Sequence, residues 1–127
     1  MLKDYIEDYE RLFRAIKPFP NLWKFDVNRP SSAAFKDSLG LSVDRKGTRT
    51  VERVIERFKK RFEIMAVVSL TAKECREFQT CPIAKPEPDN PEHAEIHGSL
   101  TEVALTSGKA RKLSKIARID HLNITLS

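Results

Sequence analysis

One run constrains the fold of this chain more than any other: Ile64-Met65-Ala66-Val67-Val68-Ser69-Leu70. It is apolar at successive positions, so neither face of an extended segment can be left to water. That predicts a strand placed centrally in a sheet covered on both sides. The run is also far too short to span a bilayer as a helix, which takes ~20 apolar residues. No membrane partner is expected.

The rest of the sequence supplies what such a strand needs around it. Leu2, Tyr5, Ile6, Tyr9, Leu12, Phe13 and Ile16 recur at three- and four-residue spacing, which predicts an amphipathic helix over residues 1–17, stopped at Pro18. Trp23 and Phe25 follow in an apolar loop. Leu39 to Asp44 predicts a strand with Leu41 and Val43 inward, and Arg45-Lys46-Gly47-Thr48-Arg49 a basic loop. Thr50 is placed to cap a helix whose apolar side is Val51, Val54, Ile55, Phe58 and Phe62. Thr71 with Glu74 has the spacing of a capping box and opens a short helix to about Gln79. Cys81 to Ala84 predicts a short strand, and the prolines between Lys85 and Pro91 an extended surface loop. Residues 108–119 predict a basic C-terminal helix, and residues 121–126 alternate like a strand or form a loosely held tail. The sum is an α+β fold: a single small domain with a short mixed sheet, three or four packed helices, and its core in residues 29–98.

A length of 127 residues fits one domain, and the N-terminus lacks the apolar run of a secretory leader. A cytoplasmic location is therefore expected, with Cys75 and Cys81 as reduced thiols.

Chemistry concentrates in Asn90-Pro91-Glu92-His93-Ala94-Glu95-Ile96-His97-Gly98. Asn-Pro is turn chemistry. If residues 93–97 are extended, Ala94 and Ile96 face the core while His93, Glu95 and His97 share the other face. A helix would also bring His93 and His97 together. On an edge strand such a face is simply solvated; in a cleft, His93 is an acid/base group near neutral pH, with Glu95 to orient it. Cys75, Cys81, His93 and His97 give C-x5-C-x11-H-x3-H, near the Cys2His2 zinc pattern. The cysteine spacing is too wide for it and prolines break the segment between, so no cofactor is expected and zinc is the minor alternative.

Pro30-Ser31-Ser32-Ala33-Ala34-Phe35, Leu41-Ser42-Val43-Asp44 and Asn90-Pro91-Glu92-His93-Ala94-Glu95-Ile96 resemble stretches shared by a group of small uncharacterised prokaryotic proteins. The resemblance spans about residues 29–98 and implies no activity. It draws attention to Ser31, Ser32, Ser42 and His93 as one spatial cluster. From residue chemistry alone, an acid–base site with His93 would take a nucleophile or donor from Ser31, Ser32 or Ser42 and hold a phosphate on Arg29 or Arg45. A phosphate loop of the Walker type is ruled out: Ser107-Gly108-Lys109-Ala110 has Val103 where the first glycine belongs and Ala110 where Ser or Thr belongs.

The formal net charge is +5. Arg45, Arg49, Arg53, Arg57 and Lys60 mark the segment before the central strand, and Lys109 and Lys112 the last helix. Arg49, Arg53, Arg57 and Lys60 recur at helical spacing as a stripe able to track phosphates. Two functions of different class follow. The first is a non-enzymatic binding or accessory protein whose basic surface meets nucleic acid or an acidic partner. The second is a small enzyme with His93 as acid/base on a phosphorylated or nucleotide-like substrate.

Overall fold

A computed structural model describes residues 2–123. The first regular element is a strand, β1 (Arg11–Ile16), reached through an irregular segment and a turn. It is followed by a two-stranded hairpin, β2 (Trp23–Lys24) and β3 (Arg29–Pro30), then a 3-10 turn at Ser32–Phe35 and β4 (Leu41–Arg45). Next come α1 (Val51–Arg61), β5 (Ala66–Thr71), α2 (Ala72–Glu77), β6 (Cys81–Ala84), β7 (His93–His97), α3 (Ser107–Ile116) and β8 (Arg118–Leu122).

Six strands form one sheet in the order β6-β7-β4-β1-β5-β8, antiparallel at every pairing. The α+β class holds, with three α-helices; the sheet is neither short nor mixed. Its two faces carry separate apolar layers. Leu12 and Ile16 of β1, Leu41 and Val43 of β4, Val68 and Leu70 of β5, and Ala94 and Ile96 of β7 pack on one side with Phe35, Cys75, Ala110 and Leu113. Phe13 and Val67 pack on the other with Val54 and Phe58 of α1. β5 is thus buried from both sides, as its composition requires, although it lies one strand in from the edge beside β8.

The helix expected over residues 1–17 is overturned. Leu12, Phe13 and Ile16 fit helical and extended patterns equally, and pairing decides between them. All of Arg11–Ile16 lies opposite β5, so β1 is an inner strand with a covered face on each side. Tyr5 and Tyr9, two members of the apparent helical stripe, are 60% and 81% exposed. Tertiary pairing outweighs a local propensity worth only tenths of a kcal/mol per residue, roughly. The C-terminal helix likewise stops at Ile116, because Arg118–Leu122 is held as a strand against β5. The alternating segment 121–126 contributes His121 and Leu122 to β8; its last residues lie outside the described ones. Nor is Arg45 in a loop: it ends β4, buried, with its guanidinium on Glu10 Oε1 at 2.8 Å and on the Lys3 carbonyl at 2.6 Å.

The helix caps are as the sequence requires. Thr50 accepts from the Arg53 N–H, and Thr71 and Glu74 exchange both bonds of a capping box.

One irregularity in the sheet matters for function. β1 and β4 share only the pairs Leu12–Arg45 and Phe13–Asp44, whereas β4 and β7 continue through Leu41–Ile96. Beyond Phe13 the two central strands part. Arg14 occupies the gap, donating from Nη1 to the Ser42 carbonyl at 2.8 Å and from Nε to the Ala34 carbonyl at 2.6 Å.

Candidate active site

Where β1 and β4 part, a cleft of about 350 Å3 opens. Its β1 and α1 side presents Arg14, Ala15, Lys17, Phe58, Arg61 and Phe62. Its other side presents Ser42 and Asp44 of β4, His93 of β7, and Glu87 and Asn90 from the turn before β7. The cations thus lie on the first side; Asp44 and Glu87 lie on the second, and Asp37 sits near Arg14.

His93 is delivered by a pinned turn. Asn90 is fully buried; its N–H and carbonyl both bond Glu87 at 3.0 Å, and its carbonyl also accepts from the His93 N–H at 3.1 Å. The Asn90 amide donates from Nδ2 to Asp44 Oδ1 at 3.2 Å, which ties the turn to β4. Proline at position 91 keeps Asn90 out of the helical region and fixes where β7 begins. The register then sets His93 opposite Asp44 and Glu95 opposite Ser42. The ring itself is oriented by main chain, since Nδ1 lies 2.9 Å from the Lys85 carbonyl. A carbonyl only accepts, so Nδ1 carries the proton and Nε2 presents a lone pair in the neutral ring. No other group among the described residues hydrogen-bonds to Nε2.

Across the cleft, Arg14 has engaged Nε and Nη1 with carbonyls, leaving Nη2 without a hydrogen-bond partner among the described residues. Burial lowers its pKa to about 10, with Asp37 acting in the opposite sense, so it remains a cation at neutral pH. Lys17 and Arg61 both lie over the Phe62 ring, at 5.4 and 5.3 Å from its centroid. Arg14, Lys17 and Arg61 are thus three cationic groups among the residues that line this partly apolar cavity.

The serines expected to converge on His93 divide. Ser42 lines the cleft; the Ser31 hydroxyl is turned to the Asn21 carbonyl at 2.6 Å, and neither Ser31 nor Ser32 lines it. Glu95 shares the His93 face, yet its carboxylate accepts from His97 Nε2 at 2.8 Å. It also lies against Gly40, where a Cβ would stand 2.6 Å from Oε1 on a backbone with φ of +113°. β7 is not an edge strand, because β6 covers its outer side.

The basic residues scatter. Arg45 is buried on Glu10, Arg49 lies 3.6 Å from Asp44 and 3.7 Å from Glu92, and Arg57 bonds the Asp89 carbonyl. Arg29 is half-buried. Arg53 and Lys60 are exposed on α1. Lys109 donates to the Gln79 and Gly98 carbonyls, and Lys112 lies over Phe78. α1 and α3 cover opposite faces of the sheet, so the two clusters do not merge.

Cys75 is buried, and burial pushes its thiol up to about 12. Cys81 lies opposite His97 in the β6–β7 ladder. Among the described residues, no group of three or more His, Cys, Asp or Glu side chains is arranged to hold a metal ion.

Arg14 and Asn90 were not singled out from the sequence. The signal for Arg14 is a cation set directly between Phe13 and Ala15-Ile16 in an otherwise apolar segment. Asn90 is signalled only by the proline after it. Compared with known proteins, the chain matches no family model, no curated protein and no solved structure, so the functional argument rests on the cleft.

Proposed function

We propose that this protein is a small acid–base enzyme that takes a phosphorylated or similarly anionic molecule into the β1–β4 cleft. One observation carries the reading: the parting of the two central strands brings an unengaged Arg14 Nη2 and the lone pair of His93 Nε2 to the same cavity. Pockets that bind metabolites combine apolar walls with a few polar groups aimed inward, and this cleft has that composition.

In the proposed mechanism the anion sits on Arg14, with Lys17 and Arg61 adding attraction from the rim. His93 Nε2 accepts a proton from the bound molecule or from a water beside it. The Lys85 carbonyl holds Nδ1–H throughout, which keeps the ring aimed and stabilises the imidazolium that forms. Ser42 offers a hydroxyl donor on the same side. The accessory-protein reading draws on Arg53 and Lys60, but Arg45, Arg49 and Arg57 are turned toward internal acids or carbonyls and are withdrawn from its surface.

A thermal-shift screen with phosphorylated metabolites tests the proposal. At least one compound is expected to raise Tm by ~8–16 °C at about 100-fold its Kd, given stabilisation of about 2.7 kcal/mol. Arg14→Gln should remove the shift, while His93→Ala should retain binding and abolish turnover of that compound. If no compound shifts the parent protein, or both variants behave like it, the proposal fails.

A further inference from the structure

Two phenylalanines line the cleft without being covered by the fold. Phe19 is 55% exposed and Phe62 36%, whereas Phe58, in the same lining, is 6% exposed. A single exposed aromatic side chain is ordinary on a protein surface. Two on the walls of one cavity are apolar surface that a ligand can take from water.

Phe19 is also carried on a backbone set in place before any ligand arrives. It stands between Pro18 and Pro20, whose rings fix φ on either side of it. Its N–H donates to the Lys17 carbonyl at 2.8 Å, and its carbonyl accepts from the Leu22 N–H at 3.0 Å. Phe62 is held by its own N–H, which donates to the Phe58 carbonyl at the end of α1. Such stiff placement lowers the ordering cost of binding.

The cations sit beside these rings. Lys17 Nζ and the Arg61 guanidinium lie over the Phe62 ring, and Lys17 is the residue whose carbonyl holds Phe19. Among the described residues no cation lies over the Phe19 ring, so its faces are left for another partner. An anion drawn to Lys17 and Arg61 therefore arrives next to phenyl surface, and the group that carries the anion must match that surface. A sugar brings hydroxyls that lose water against phenyl rings without gaining partners there. An aromatic ring packs on them offset or edge to face.

We infer that the cleft selects an aryl phosphate, a phosphate carried directly on an aromatic body, over a sugar phosphate. The phosphate meets the cations and the aromatic body covers Phe19 and the edge of Phe62. This rests on the anion-binding reading of the same cleft, and it adds what that reading lacks, the chemistry of the group to which the anion is attached.

Isothermal titration calorimetry on the whole chain separates the two. The ligands are phenyl phosphate, hexyl phosphate, ribose phosphate and inorganic phosphate. Phenyl phosphate is expected to bind about tenfold more tightly than each of the other three. Phe19→Ala, which alters an exposed side chain and removes no cation, should narrow that ratio, while Arg14→Gln should weaken all four ligands alike. Equal binding of phenyl and ribose phosphate overturns the aryl inference and leaves the anion site standing. Hexyl phosphate binding as tightly as phenyl phosphate, or a preference for phenyl phosphate that persists undiminished in Phe19→Ala, has the same meaning. Failure of all four ligands to bind overturns the inference and the anion site together.

Discussion

A single carbonyl sets the chemistry of His93. Because Lys85 O accepts from Nδ1, the neutral ring has one available tautomer and offers its lone pair at Nε2. The carbonyl is in place because Asn90, fully buried, holds the turn from Glu87 to His93 with three backbone bonds and one side-chain bond to Asp44. Asn90→Ala should therefore cost ~1–3 kcal/mol in urea denaturation, the penalty for leaving a buried acceptor without its donor. An unchanged unfolding midpoint would show that the turn does not depend on this amide. Arg14 is the complementary case: a half-buried cation, satisfied at two nitrogens by carbonyls and without a hydrogen-bond partner at the third among the described residues.

At the scale of elements, the caps are the most direct expression of sequence. Thr71 and Glu74 close the box at the start of α2, and Arg118 of β8 reaches Glu74 Oε1 at 3.0 Å. Burial alone would raise the Glu74 pKa, but the Thr71 N–H and Arg118 outweigh it and hold the carboxyl below its ordinary value. The stabilisation from this group is thus present above the unfolded pKa and is lost as pH falls through the folded one. Thr71→Ala should destabilise the protein by about 1 kcal/mol at neutral pH. Both effects are read by urea denaturation at a series of pH values: Glu74→Gln should cost stability at neutral pH by an amount that shrinks in acid, and a pH-independent cost would argue against the lowered Glu74 pKa. Elements with such local chemistry were legible: α1 behind Thr50, α2 behind Thr71, and β7, whose alternation puts Ala94 and Ile96 in the core. β1 was not, because six residues with apolar groups at 12, 13 and 16 carry no period of their own, and long-range pairing with β5 assigned them. The place of Arg14 was hidden for the same reason, since only a sheet with β1 beside β4 makes a gap for it. Within the stretch from Asn90 to Gly98, the shared face of His93, Glu95 and His97 was legible. The bonding of Glu95 to His97 was not, since alternation fixes a face and not a partner.

At the scale of the molecule, an antiparallel sheet covered on both faces puts its two central strands, β4 and β1, where neither can be lost without dividing the domain. That they pair over so short a length is a local weakness in a well-packed body, and the cleft is its consequence. Basic character, which gave the sequence its suggestion of a polyanion surface, is instead distributed between internal pairs, the cleft and two opposite faces. The most direct test of the central claim is chemical-shift mapping of the labelled protein titrated with ribose phosphate. The expected result is perturbation concentrated at Arg14, Ser42, Asp44 and the His93 ring. Shifts confined to Arg53, Lys60 and Lys112 on the outer helix faces, or no shifts at all, would contradict it.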